Sequence, residues 1–428
     1  MPSLSTGVEE HAAQERFSQK ARTPRWYAGI DWANAHHDAM VIDEKGRQVG
    51  SLRIAHTPAG MQQLKTFLEQ IIGQAPKEEM ACIIETSRGL LITSLLEAGW
   101  RVYPVHPKTV DRRRAASGAK TDLIDAYLLA KHGRAELADL RQLKPDSPLV
   151  AELKGLTRDQ DSLIQMQTRL VNQLTACLKA YYPVALTLFG KLQQRSTLLF
   201  LQAYPTLEAA RSASLSQVEA LLKTCRYPGA AKAASKIVEQ VKEPCLQSDT
   251  VTTRTKSRLM LALVRQLLPV IEEIATYDEE IERLFLSHED SEVFRSFPRA
   301  GQHLAPRLLA EIGDDRERYQ DAESLAALSG SSPVIFQSGT YAKAHRRYAC
   351  SKPLRNALQQ FAWQTTLSEP WAADYYQRKR AEGKSHTKAV CALSCIWVRI
   401  IFACWKKRKC YQASTFEAAR LAHQRLAA

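Results

Sequence analysis

The sequence predicts an α/β domain at the amino-terminal end followed by an all-α remainder, and three observations predict it. Short apolar runs with strand-like alternation fill the first 105 residues and give way to helical patterns. From about residue 150 apolar side chains recur every three or four positions, the period of amphipathic helices. The last fifth is strongly basic and carries few strand signals.

Residues 1–24 are polar and read as a disordered lead-in. Strands follow over Trp26–Ala33, His37–Asp43 and Gln48–Ala55, separated by turn-like Ala-Asn and Glu-Lys-Gly steps. An amphipathic helix over Pro58–Ile72 comes next, then a buried strand (Met80–Glu85), a helix (Arg88–Ala98) and a strand (Arg101–Val105). Helices are expected from Lys108 and from Asp122. Three strands in a meander, then alternating helix and strand, is the order of an RNase-H-like or RuvC-like domain, placed here over 25–145.

Residues 146–290 read as a helical, coiled-coil bridge. Leu156, Leu163, Leu170 and Cys177 recur every seven, and a second seam runs Met260, Leu263, Leu267, Val270, Ile274, Tyr277, Ile281, Leu284 in alternating steps of three and four. Two such helices can pair within one chain or between copies of it. Pro269 is expected to kink the second helix or to mark its start. Residues 291–428 form the third region, a mostly helical basic domain. In it Phe297-Pro298-Arg299-Ala300-Gly301, followed by apolar-periodic residues to Gly313, suggests a helix–hairpin–helix whose turn offers backbone N–H groups to a phosphate.

Composition narrows the function. The 428 residues are 45% hydrophobic and 24% charged, which excludes disorder as the main state. Apolar stretches are too short to cross a membrane; the nearest, Ile396 to Trp405, is broken by Arg399. The polar first residues are not those of a signal peptide, and nine irregularly spaced cysteines are no disulfide framework. A reducing, cytoplasmic setting is the expectation. Of the net charge of +14, most comes from Tyr341–Cys410, where 15 Lys or Arg face three acids. Interleaved with Trp363, Trp371, Tyr375, Tyr376, Trp397 and Trp405, this points to phosphate contact and hence to nucleic acid. A second basic cluster is Lys108, Arg112, Arg113, Arg114 and Lys120.

Four acids stand out by position. Asp31 closes the first strand and Glu85 closes the buried one, while Asp122 and Asp125, three apart, share a helix face. A carboxylate at the end of an apolar buried strand costs desolvation unless something binds it, and a hard cation such as Mg²⁺ is the natural partner. Helix capping explains Asp122 or Asp125 taken singly, and explains Asp31 and Glu85 less well.

Tyr27-Ala-Gly-Ile-Asp31, Ile84-Glu85-Thr86 and Lys120-Thr-Asp122-Leu-Ile-Asp125-Ala resemble the DEDD insertion-sequence transposases, bridge-RNA-guided DNA recombinases that include pilin-invertase-like members. Phe297-Pro298, Leu309-Ala-Glu-Ile-Gly313-Asp, Leu325 to Pro333 and Gln337-Ser338-Gly339 resemble their second domain. The hairpin departs from the family's Pro-Gly-Ile-Gly by carrying Arg299 and Ala300. The resemblance implies that Asp31, Glu85, Asp122 and Asp125 hold Mg²⁺ and that Ser338 attacks the scissile phosphate to form a phosphoserine link. It also implies a structured guide RNA and a homo-oligomer, dimer or tetramer, assembled through coiled coils. Ser329, Ser331 and Ser332 lie close to Ser338, and spacing alone does not choose among the four. Lys343, Arg346, Arg347, Lys352 and Arg355 are candidate phosphate contacts. The rival readings are a metal-dependent structure-selective nuclease and a non-catalytic nucleic-acid-binding protein.

Overall fold

The computed structural model describes residues 23–86, 89–105, 121–339 and 341–416. They fall into two compact units that divide between Pro145 and Asp146. The expected helix from Lys108, the basic cluster Lys108, Arg112, Arg113, Arg114 and Lys120, and residues 1–22 of the lead-in lie outside the described residues.

The first unit contains β1 (Trp26–Trp32), β2 (His36–Asp43), β3 (Gln48–Ala55), α1 (Pro58–Ile72), β4 (Met80–Ile84), α2 (Leu90–Glu97), β5 (Arg101–Pro104) and α3 (Asp122–Glu136). The strands form one sheet in the order β3-β2-β1-β4-β5. β1 runs antiparallel to β2 and parallel to β4, and β4 is parallel to β5. That mixed sheet fits an RNase-H-like domain.

Alternation along the strands separates two cores. Ala28, Ile30, Ala39, Val41, Cys82 and Ile84 pack with Leu64, Leu68, Leu91 and Leu95 of α1 and α2. Tyr27, Ile42, Ala81 and Ile83 point the other way, onto Leu128, Leu129 and Ala130 of α3. The helix lies close because two glycines let it. A Cβ at Gly29 would overlap the Ala126 carbonyl oxygen and sit 2.5 Å from the Ala130 nitrogen, and one at Gly133 would overlap Ile83.

The second unit opens with α4 (Pro148–Tyr181) and continues through α5 (Arg195–Ala203), α6 (Leu207–Ser212), α7 (Leu215–Thr224), α8 (Ala230–Lys242) and α9 (Thr250–Ser287). The heptad seams meet within the chain. Gln160 Nε2 donates to Asp278 Oδ1 at 2.6 Å, and Cys177 Sγ to the Lys256 carbonyl at 3.3 Å, so α4 and α9 run antiparallel. Pro269 neither starts α9 nor ends it. It is exposed, so the carbonyl that its missing N–H leaves unbonded can reach water.

Beyond these come α10 (Ser291–Arg295), α11 (Gly301–Ile312), α12 (Ala322–Leu328), the hairpin β6 (Val334–Ser338) and β7 (Tyr341–His345), then α13 (Lys352–Thr365), α14 (Pro370–Ala381) and α15 (His386–Lys407). The arm before the 297–301 turn, α10, has only five residues, which is short for a helix–hairpin–helix.

Two sequence expectations change here. Helix α15 is long and apolar enough to cross a membrane by composition, with a mean hydropathy of 1.7 over 18 residues. Val390, Leu393, Trp397, Val398, Ile401 and Trp405 nonetheless line the core of this unit. Trp371, Trp397 and Trp405 are likewise core residues, 3%, 0% and 0% exposed, and are not available to phosphate.

Candidate active site

The site forms at one end of the first unit's sheet, and strand alternation builds most of it. Asp31 follows Tyr27 and Gly29 on the face covered by α3, and Glu85 follows Ala81 and Ile83 onto the same face. Because β1 and β4 are parallel with Ile30 beside Ile84, the two acids emerge side by side. The antiparallel register puts Asp38 of β2 directly opposite Asp31.

Helix α3 supplies the rest from its first turn. Thr121 caps it, its hydroxyl accepting from the Ile124 N–H at 3.2 Å. Capping therefore does not account for Asp122, which is the first helical residue. Asp125, one turn on, is buried at 8% exposure.

The electrostatics record the convergence. The Asp31 carboxyl is pushed up to about 6, first by burial and then by the negative fields of Asp125, Asp122, Glu85 and Asp38. Four carboxylates thus act on a fifth, Asp31, at one sheet end.

Arg53 and His36 brace one side of the group. Arg53 of β3 donates to both oxygens of Asp38, at 3.0 Å from Nε and 2.8 Å from Nη2, and lies 3.5 Å from Asp122 Oδ2. His36 Nε2 lies 3.2 Å from the same Asp122 oxygen. Among the described residues His36, Asp38 and Asp122 bring ligand atoms within 4.8 Å of one another.

Beneath them His37 is buried, and burial together with His56 and His36 holds its imidazole below the usual histidine range. Its Nδ1 accepts from the Ala33 N–H at 3.4 Å, so the neutral ring carries its proton on Nε2 and gives it to His56 Nδ1 at 2.8 Å. The pair fixes the β1–β2 turn that aims Asp31 and Asp38.

Carboxylates that burial and one another's charge make costly to ionise fit a hard divalent cation, which would offset that charge. Sequence reasoning named Asp31, Glu85, Asp122 and Asp125; the last three all act on the Asp31 carboxyl, while of the four only Asp122 belongs to the group whose ligand atoms lie within 4.8 Å of one another. It missed Asp38 and Arg53. Counting outward from the Ala33–Ala35 turn would have found Asp38, since each step away from Trp32 on one strand matches one step on the other.

In the second unit Ser338 ends β6, paired with Tyr341 across the hairpin, and is exposed. Its neighbours differ. Ser329 is fully buried, donating to the Ala326 carbonyl at 3.0 Å, and Ser331 accepts from Ser329 and from Ser394 at 3.0 and 3.2 Å. Ser332 is half-buried. Of the basic candidates, Lys343, Arg346 and Lys352 are exposed. Arg347 reaches back to the Ser332 carbonyl and Arg355 to Cys350 Sγ, so these two also brace the loop.

A transposase family model matches residues 28–183, and a model of the IS116/IS110/IS902 transposase family matches 291–377. A mini-circle protein of Streptomyces coelicolor named as transposase for IS117 is 32% identical over 375 residues, covering 85% of this chain and 89% of the relative. The chain belongs to the IS110/IS116/IS902 family of transposases. The 42 kDa protein of insertion element IS900 from Mycobacterium paratuberculosis is 28% identical over 92% of this chain and 99% of its own length. The 44.8 kDa protein of IS116 from Streptomyces clavuligerus is 28% identical over 91% and 97%. This transposase is thus a DNA strand-transfer enzyme with DNA as its partner, and its DEDD-type domain implies divalent metal.

Proposed function

We propose that this transposase cuts and rejoins DNA through a covalent phosphoserine at Ser338, with Mg²⁺ held by Asp31, Glu85, Asp122 and Asp125. The observation that carries the reading is the placing of the other acids around Asp31, whose carboxyl burial and then their negative fields raise to about 6. Bound Mg²⁺ would polarise the scissile phosphate and stabilise the charge that develops on it.

The chain's own groups do the rest. Ser338 Oγ, exposed to solvent, attacks phosphorus as its proton passes to water. The P–Oγ bond forms as one P–O bond to deoxyribose breaks, and the departing sugar oxygen takes a proton. The reverse step, with a new strand's hydroxyl as nucleophile, restores the serine and seals the DNA. The exposure of Ser338, beside the buried and hydrogen-bonded Ser329 and Ser331, supports it over them as nucleophile. Exposed Lys343, Arg346 and Lys352 would hold the strand by its phosphates.

Two further parts of the reading rest on the resemblance. A structured RNA from the element would pair with donor and target DNA, and the protein would work as a dimer or tetramer.

The test uses labelled DNA spanning the joined ends of the element, Mg²⁺ and RNA transcribed from its flanks. A DNA–protein adduct on a denaturing gel is expected with wild type and absent from Ser338→Ala and Asp31→Ala. Cleavage without an adduct, surviving Ser338→Ala but not Asp31→Ala, would overturn the serine mechanism in favour of a metal-dependent nuclease.

A further inference from the structure

Three helices in the second unit place three aromatic rings together at the surface. Trp363 comes from the last turns of α13, Tyr376 from the middle of α14 and His386 from the first position of α15. Their centroids are 5.3 Å apart for Trp363–Tyr376, 4.9 Å for Trp363–His386 and 5.8 Å for Tyr376–His386, each pair edge to face. The Tyr376 hydroxyl lies 2.9 Å from His386 Nδ1, which locks the two smaller rings around the indole.

The cluster differs from every other tryptophan site in this unit. Trp371, Trp397 and Trp405 are buried, and each indole N–H has an acceptor, Tyr411 Oη, Thr365 Oγ1 and the Gly313 carbonyl respectively. Trp363 is 37% exposed, and among the described residues its indole N–H meets no acceptor. Leu367, four residues on and just past the end of α13, is 60% exposed. A large ring braced by its neighbours yet still more than a third exposed is a surface built for contact.

Its surroundings define the contact. Arg380, exposed, lies one helical turn beyond Tyr376 on α14, and Lys388, exposed, lies two residues beyond His386. The whole segment carries the chain's positive excess. A ligand that offers a flat π-face and a negative charge together is a nucleotide. In a duplex the base faces are covered by stacking, so only an unpaired base can use such a platform.

We infer that Trp363, Tyr376 and His386 form a stacking platform for an unpaired base of single-stranded DNA, with Arg380 and Lys388 meeting its phosphates. An enzyme that opens and exchanges strands has such bases to hold while the chemistry proceeds. The inference rests on the DNA-binding part of the proposed function and not on its serine chemistry.

The full-length protein is titrated with a labelled single strand, the same strand carrying abasic sites, a duplex of equal length and the matching RNA strand, over a range of salt. Trp363→Ala is expected to weaken single-strand binding roughly tenfold, leaving duplex affinity and the salt dependence unchanged. Trp363→Phe should restore most of the loss. The abasic strand should bind wild type and Trp363→Ala alike.

Equal weakening on duplex and single strand, a loss confined to RNA, or a Phe variant as weak as the Ala variant would each overturn the inference. Should Trp363→Ala melt early, wild type alone decides, and equal affinity for abasic and intact strands overturns it. Failure of the adduct assay with single-strand stacking intact would strike the serine mechanism and leave the platform standing.

Discussion

The acidic end of the first unit's sheet and the hairpin that carries Ser338 are built on opposite principles. The acids are fixed several times over: Asp31 by strand alternation, Asp38 by register and a bidentate arginine, Asp122 and Asp125 by a capped helix held against the sheet at Gly29. The hairpin has two strands whose side chains are almost all exposed, Ile335, Phe336 and Tyr341 at 68%, 55% and 56% among them. An isolated two-stranded hairpin is marginal in water. On the proposed reading the difference has a use: a metal site needs preorganised charge, whereas a serine that must reach a phosphate gains from standing clear of the fold.

The largest effect should follow from Gly29→Ala. A methyl there meets the backbone of α3, which cannot yield as a side chain would, so the helix must lift off the sheet with Asp122 and Asp125. We expect a loss of at least about 3 kcal/mol in stability, the upper end for overpacking, together with loss of metal-dependent cleavage. Thermal melting and the adduct assay read the two effects. A variant that melts within a degree or two of wild type would show that the close approach is not what places these acids.

Metal and pH probe the same end of the sheet. The Asp31 carboxyl stands at about 6 in the fold against an ordinary value of 3.8. A raised carboxyl means that the folded state holds its proton more tightly than the unfolded chain does. That contribution is fully present below 3.8 and is lost as pH rises through about 6. In chelator this group's contribution should therefore make the melting temperature fall between pH 4.5 and 7, measured by calorimetry. Added Mg²⁺ should raise it more at pH 7 than at pH 5, because at pH 5 it must displace a proton. An equal rise at both values would place the ion away from Asp31.

These contrasts also explain what could be read in advance. Helix Pro58–Ile72 and strand Gln48–Ala55 emerge at their expected bounds because period and turn residues coincide there. The four acids were legible as candidates because they mark element ends: Asp31 is the last residue but one of β1, Glu85 directly follows β4, and Asp122 and Asp125 lie in the first turn of α3. Asp38 was not, since it sits inside a strand and acquires meaning only through its register with Asp31. Trp371, Trp397 and Trp405 read as a nucleic-acid face because basic residues interleave with them in sequence; helical periodicity sends the two sets to different sides. The heptads of α4 and α9 specified a seam but not its partner, which the structure supplies from the same chain.

At the hairpin the expected effects are smaller. Ser338 is exposed, so Ser338→Ala should change stability by less than about 0.5 kcal/mol while removing the adduct. Gly339 has φ +55°, and a Cβ there would meet nothing within 4 Å. Gly339→Ala should therefore cost only the left-handed backbone penalty, about 1 kcal/mol. Thermal melts of the two variants side by side check this. A collapse like that of Gly29→Ala would mean that the hairpin is as tightly specified as the acid site.

The smallest effect expected is a gain. Arg299 takes φ +60° in the turn before α11, at the place where the family pattern has glycine, and Gly301 follows at +55°. An arginine Cβ crowds its own carbonyl in that region, a strain of about 1 kcal/mol, and glycine would relieve it while adding freedom to the unfolded chain worth somewhat less. Arg299→Gly should thus raise the melting temperature by a degree or two, within about 1 kcal/mol of wild type. If Arg299 also meets a phosphate, the same substitution weakens duplex binding and lowers its salt slope by about one. A stabler protein that binds as before would mark the residue as strain without a use. A stabler protein that binds less well would show that this transposase keeps the strain in order to present a charge.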